Sequence, residues 1–310
     1  MRFEGDPEVL KNLFRKQALL ASGDTDHYRY RPMLIAGSGV MRGAYGVGQG
    51  VALSRFGLNH VFDVALGIST GAPIIAYFLA LMRRESIYWT EARMFVSLRR
   101  FLLGKGPVAD TDWLCDQVFC DLDWKTINSA RTRFYTGATC ADSGVPLFLD
   151  ANMHGIEAIR GSVSMPGLSR GPVAVSGRLC LDGGGAMKFP VEQAYHRFAP
   201  TDILVLANCP DPEHQSGPNR WAPLTVLKYS QEVQRTFARA RARAGQELQF
   251  ARTTKDCRVA ILWTDDAVSR FTMDEQKLQA ACLRAEKHLY DLLLLAQDEI
   301  ESEQCSLAAE

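Results

Sequence analysis

Three short segments carry residue types whose spacing could do chemistry. The first is Gly67-Ile68-Ser69-Thr70-Gly71, which has the Gly-x-Ser-x-Gly spacing of a nucleophile elbow between an apolar strand and an apolar helix. A serine on so tight a turn leaves no room for bulky neighbours two places to either side, hence glycine at 67 and 71. The turn lifts the hydroxyl out of the sheet, and the start of the following helix favours negative charge beside it. Ser69 is therefore the candidate nucleophile of an acyl-transfer reaction. The bland alternative is a turn that is merely tight.

The second segment is Gly37-Ser38-Gly39-Val40-Met41-Arg42-Gly43. A dinucleotide-binding turn needs glycine at 42, where this chain has Arg42, and its third glycine arrives one place late at Gly43. No clear acidic ribose partner follows, since Asp63 begins a strand rather than ending one. A loop of backbone N–H groups around Ser38, Gly39 and Val40 would instead bind a developing oxyanion, each such donor being worth about 10²–10³ in rate. Arg42 would anchor that loop or add positive charge. The third segment is Leu181-Asp182-Gly183-Gly184-Gly185. It puts an acid at the end of an apolar run, on a turn where the backbone must approach something closely. Taken alone, it reads as an ordinary turn-forming Asp-Gly.

The elements around these segments must hold them together. Met33–Ala36 reads as a buried strand stopped by glycines, followed by a helix from Gly43 to Phe56. A second strand is expected over Val61–Leu66 and a strongly apolar helix over Ala72–Arg84. This alternation argues for parallel βαβ units with helices on both faces of a sheet. Further strands are expected at Phe134–Thr139, Pro146–Leu149, Arg178–Leu181, Ile203–Ala207 and Arg258–Trp263. Two long helices are expected over Leu224–Thr253 and Asp274–Glu303, after a surface loop from Pro210 to Pro223.

Composition narrows the function. The 35 basic and 35 acidic side chains cancel, so the basic excess of a nucleic-acid binder is missing. Length alone would allow two domains of about 150 residues. With no repeat and no low-complexity linker, the expectation is one domain over 31–310, helical from about 215, preceded by an N-terminal extension over 1–30. The longest apolar run, Ala72 to Met82, falls well short of the roughly 20 residues that span a bilayer. The acidic start Met1-Arg2-Phe3-Glu4-Gly5-Asp6 shows no secretory signal. The eight cysteines form no Cys-x-x-Cys pair and no zinc spacing, so they read as reduced thiols of a cytoplasmic protein. No metal, calcium loop or cofactor is called for.

Taken together, the three segments resemble the patatin-like phospholipases: Gly-x-Gly-x-x-Arg-Gly after the first strand, Gly-x-Ser-x-Gly-Ala after the second, Asp-Gly-Gly after a later one. Ser164-Met165-Pro166-Gly167 and Lys188-Phe189-Pro190-Val191-Glu192-Gln193-Ala194 are similar to quieter stretches of that family, and the resemblance runs from about Met33 to Ala207. It implies a three-layer α/β/α sandwich around a mainly parallel sheet. It also implies a catalytic dyad, Ser69 as nucleophile and Asp182 as general base, acting on the acyl esters of lipids through an acyl-enzyme. Many members have three consecutive glycines where this chain has Ser38-Gly39-Val40; the backbone donors survive that change.

Two rival readings stand beside this one. A Ser-His-Asp hydrolase would have the chain order Ser69, Asp182, then His196 or His214; those histidines sit in a polar helix end and a Pro-rich loop. A lipid-binding relic of the fold would not need both Ser69 and Asp182. Phe95–Lys105 mixes apolar and basic residues and suggests transient contact with a membrane surface, or a core-facing helix with a charged edge. Arg235, Arg239 and Arg243 repeat every four residues on one helix face, either solvated or facing anionic headgroups. The apolar stripe at Leu289–Leu295 must bury against the core or a second subunit.

Overall fold

The structure is a computed structural model that describes residues 1–83, 87–91, 96–211 and 225–308, the last five of these through their backbone alone. Its strands are β1 (Arg2–Gly5), β2 (Pro32–Ala36), β3 (Val64–Ile68), β4 (Arg133–Cys140), β5 (Pro146–Asp150), β6 (Val173–Val175), β7 (Arg178–Asp182), β8 (Asp202–Leu206) and β9 (Arg258–Trp263). They form one sheet in the order β1-β9-β8-β2-β3-β4-β7-β6, with β5 paired to β4. The central run β9-β8-β2-β3-β4 is parallel, and the strands beyond it are antiparallel. The principal helices are α1 (Glu8–Ser22), α2 (Gly43–Arg55), α3 (Gly71–Leu79), α4 (Leu98–Leu102), α5 (Ile156–Val163), α6 (Val191–Phe198), α7 (Gln231–Thr253) and α8 (Glu275–Ala308).

Strand alternation creates the three layers. Successive side chains of a strand point to opposite faces, so β2 sends Leu34 and Ala36 into one apolar cluster and Met33 and Ile35 into another. β8 and β9 divide in the same way: Leu204, Leu206, Ala260 and Leu262 face one side, Ile203, Val205, Val259 and Ile261 the other. Helices α1, α2, α3, α5 and α8 cover the first face, and α6 and α7 cover the second. The molecule is an α/β/α sandwich. Of the Leu289–Leu295 stripe on α8, Leu289 and Leu293 bury against the first face together with Leu278 and Ala285, whereas Leu294 and Leu295 stay exposed, because a helix turns only one side to the core. The α8 backbone comes so close to α2 that a Cβ on Gly48 would lie 2.1 Å from the Cys282 carbonyl oxygen.

Several elements depart from the sequence expectation. Residues 1–30 are stitched into the sandwich: β1 closes the sheet edge against β9, and α1 buries Val9, Leu10 and Leu13. Lys16, wholly buried, reaches Asp63 at 2.6 Å, and Asn12 donates to Asp202 at 2.8 Å. Strand β3 starts three residues later than expected, because Val61 and Phe62 enter the core through a turn rather than through the sheet. Helix α3 stops at Leu79. Its end is closed by Leu81 in the left-handed region (φ 56°) and by Asn59, which donates to the Phe78 carbonyl at 2.7 Å. Helix α7 begins at Gln231 rather than Leu224, and the stretch 212–224 lies outside the described residues, as do Phe95 and Arg84.

Candidate active site

The elbow forms where β3 runs out at Ile68 and α3 starts at Gly71. Ser69 takes a φ of 54°, a left-handed conformation that costs a non-glycine residue about 1–3 kcal/mol and survives where the surroundings over-determine it. Here they do. A Cβ on Gly67 would lie 2.4 Å from Ala72 Cα, and one on Gly71 would lie 1.9 Å from the Ala36 carbonyl oxygen. The Ser69 amide donates to Ser162 Oγ at 2.9 Å, and that hydroxyl donates on to the Gly137 carbonyl at 2.7 Å.

Asp182 arrives from the other direction. β7 is antiparallel to β4 and ends with Asp182 opposite Ala138, one residue beyond the Gly137 that pairs with Ile68 of β3. Ser69 and Asp182 therefore stand at one level on either side of β4, not on adjacent strands. Two strand spacings, about 9–10 Å, separate their backbones, and the side chains close the gap. Ser69 Oγ donates directly to Asp182 Oδ2 at 2.5 Å. Both residues are buried, at 6% and 8% exposure. Asp182 Oδ1 accepts the Gly184 amide at 2.7 Å, and its carbonyl accepts Thr139 Oγ1 at 2.8 Å. The Asp182 amide donates to the Ser164 carbonyl at 2.8 Å, so the Ser-Met-Pro-Gly segment braces the acid strand. Gly183 packs on the Gly137 carbonyl, where a Cβ would come within 2.2 Å. Burial pushes the Asp182 carboxyl up to about 6, against the opposing pull of the Ser69 hydroxyl, the Gly184 amide and the Arg270 charge.

The 37–43 loop lies beside the elbow. Asn208 Nδ2 holds the Gly37 carbonyl at 2.8 Å, and the Met41 amide donates to the Arg270 carbonyl at 3.2 Å. Val40 has a φ of 53°. Among the described residues, no acceptor takes the Gly39 or Val40 amide. Ser38 borders the acid loop, 3.5 Å from where a Cβ on Gly184 would stand. The Arg42 side chain is committed to anchoring: its Nε donates to the Val268 carbonyl at 2.8 Å. Gly43 sits under Tyr88, whose hydroxyl would lie 2.0 Å from a Cβ there. Thr70 ties loop and elbow together, donating to the Val40 carbonyl at 3.1 Å with the Tyr88 hydroxyl 2.7 Å away.

An apolar pocket opens beside Ser69. Val40, Ile74, Phe78, Leu114, Phe119 and Met165 are among its walls. Of the rival histidines, His196 is 67% exposed and 3.8 Å from Glu192, and His214 lies outside the described residues. No histidine among the described residues hydrogen-bonds to Ser69 or Asp182. Sequence reading missed Ser162, Thr139, Thr70, Tyr88 and Asn208, because single hydroxyls and amides that bond to backbone leave no spacing pattern. It also read Arg243 as part of a basic face, whereas Arg243 Nη1 donates to the Gly185 and Ala186 carbonyls at 3.2 and 3.3 Å, supporting the acid loop.

A serine at a strand–helix turn, a glycine-rich loop beside it and an acid at a strand end are thus set together on one α/β/α sandwich. The family model "Patatin-like phospholipase" matches residues 34–195, and the chain belongs to that family. The uncharacterized protein YjjU of Escherichia coli (strain K12) is 29% identical over 185 residues, 56% of this chain. The chain spans about half the length of that relative, 51%. Among solved structures, VipD from Legionella pneumophila aligns over 87% of this chain and 67% of its own, at 10% identity and a TM-score of 0.45.

Proposed function

We propose that the chain is a lipid acyl hydrolase of the phospholipase A or esterase type, working through Ser69 and Asp182 and an acyl-enzyme. The observation that carries this reading is the 2.5 Å hydrogen bond between Ser69 Oγ and Asp182 Oδ2. Ser69 also lines an apolar pocket able to take an acyl chain. Ionised Asp182 accepts the Ser69 proton as Oγ attacks the ester carbonyl. A carboxyl raised to about 6 is a stronger base than an ordinary aspartate yet remains ionised at neutral pH. The free Gly39 and Val40 amides donate to the oxyanion of the tetrahedral intermediate. As this collapses, the acyl–oxygen bond breaks and the departing alcohol takes the proton from Asp182. A water then gives its proton to Asp182 while attacking the acyl-enzyme, and Ser69 recovers its hydrogen as the fatty acid leaves.

Substrate meets the site at a lipid surface through transient peripheral contact. Leu98, Phe101, Leu102 and Leu103 are exposed on and after α4, with Arg99 among them, an apolar patch with an adjoining cation of the kind that lies in a headgroup layer. Among the described residues no helix is long and apolar enough to cross a membrane. The test is an activity panel of short-chain ester, diacyl phospholipid, lysophospholipid and triacylglycerol, run on wild type and Ser69→Ala. Fatty acid released by wild type and not by the variant is the expected result. Equal release by both, or none by either, would remove the reading.

A further inference from the structure

Helix α2 carries inner glycines at 46, 48 and 50, and glycine weakens a helix interior relative to alanine. Two of them have a packing reason. A Cβ on Gly46 would lie 2.5 Å from Asn208 Oδ1 and 2.9 Å from Ile74 Cδ1 of α3, and one on Gly48 would lie 2.1 Å from the Cys282 carbonyl oxygen. Gly50 has none. It is buried and its backbone is helical, yet a Cβ there meets nothing within 4 Å. What lies before it is the apolar pocket, which Gly50 and Ser69 both line.

The pocket runs lengthwise between two helices. Strands β2 and β3 are adjacent and parallel, so α2 and α3, which follow them, both start from the sheet edge that carries Ser69. On α2 the lining residues are Val47, Gly50, Val51 and Ser54; on α3 they are Pro73, Ile74, Tyr77 and Phe78. Each set falls on one face of its helix. The near ends meet beside the nucleophile, where a Cβ on Gly43 would stand 2.5 Å from Thr70 Oγ1. The far ends are tied by Asn59, which donates to Ser54 Oγ at 2.9 Å and to the Phe78 carbonyl at 2.7 Å. From Gly43 to Gly50 is about 10 Å along the helix axis. A saturated chain with its torsions staggered at 180° advances about 1.3 Å per carbon, so it draws level with Gly50 at about its eighth carbon.

We propose that Gly50 is the residue that sets acyl-chain length. Its missing side chain leaves a passage along α2 for acyl groups longer than about eight carbons. This deepens the hydrolase reading and rests on it for the acyl group held on Ser69. The test uses the full chain as wild type, Gly50→Val and Gly50→Leu, each variant checked for a native circular dichroism spectrum. The substrates are p-nitrophenyl butanoate and p-nitrophenyl dodecanoate in the same dilute detergent, and the readout is the ratio of their kcat/KM values. The dodecanoate-to-butanoate ratio should fall at least about tenfold in Gly50→Leu and at least about threefold in Gly50→Val, the scale on which pocket methylenes discriminate substrates. If the leucine variant does not fold, the valine variant decides. Binding is read separately by calorimetry. Dodecanoate should bind Ser69→Ala at least about tenfold more tightly than Ser69→Ala/Gly50→Leu. An unchanged ratio in a folded variant, including one that slows both esters alike, would overturn the assignment, as would equal dodecanoate binding with and without the leucine. An active esterase with an unchanged ratio fails this proposal alone. A protein that hydrolyses neither ester, yet loses dodecanoate binding on Gly50→Leu, keeps the passage and fails the hydrolase reading instead.

Discussion

Ser69 and Asp182 are 113 residues apart and flank β4 rather than adjoining one another, yet their side chains meet at 2.5 Å. The bond exists because β3 and β7 stop at the same height on opposite sides of one strand. Each is fixed by a backbone turn that a larger residue at Gly71 or Gly183 would displace.

In the proposed mechanism Asp182 is the base and must be ionised to work. With Asp182 raised to about 6 by burial, kcat/KM for a soluble short-chain ester should rise tenfold per pH unit below about 6 and level off above it. A pH-rate profile of the wild type from pH 4 to 8 checks this. An acidic limb that turns near 4, where an unburied aspartate titrates, would contradict it.

The same burial carries a stability cost with a definite sign. Asp182 is easier to protonate folded than unfolded, so its contribution is favourable below about pH 4 and is lost as pH rises through about 6. Asp182→Asn removes the buried charge and should stabilise the protein at pH 8 by on the order of 3 kcal/mol, with the gain vanishing below pH 4. Thermal melts of both proteins at the two pH values decide the matter.

Ser162 holds the elbow from behind, accepting from the Ser69 amide and donating to Gly137 while fully buried. Ser162→Ala should lower kcat about 10–100-fold with little change in KM, because the nucleophile shifts while the pocket stays. It should also cost about 1–3 kcal/mol for the two backbone groups left unpaired. Ser162→Thr, which keeps the hydroxyl, should restore part of kcat.

Gly48 sets the distance between α2 and α8. A methyl group there meets the Cys282 carbonyl at 2.1 Å, so Gly48→Ala should cost about 1–3 kcal/mol or more and raise hydrogen exchange along α8. Gly50, where a Cβ meets nothing within 4 Å, should accept alanine without loss and serves as the control.

Much of this was legible in the sequence, for reasons that can be named. Glycines at 67, 71 and 183 mark backbone contacts too close for a side chain, and the apolar runs of β2, β4, β7 and β9 are broken by turns. What could not be read depends on tertiary position. Strand β1 is mixed in polarity and is a strand only because β9 offers it an edge. Lys16 looks like a surface lysine until Asp63 is found beside it. The placement of β4 between Ser69 and Asp182 follows from the reversal of direction at β7, which no local pattern encodes. Ser162 and Thr70 act through backbone partners distant in sequence.

The central claim is that Ser69 is activated by Asp182 with no histidine between them. The measurement is the rate at which a fluorophosphonate labels Ser69 at pH 8 in wild type, Ser69→Ala, Asp182→Asn, His196→Ala and His214→Ala. Wild type and both histidine variants should label at similar rates, Ser69→Ala not at all, and folded Asp182→Asn at least about 10³-fold more slowly. Near-normal labelling of Asp182→Asn, or loss of labelling in a folded histidine variant, would contradict the account.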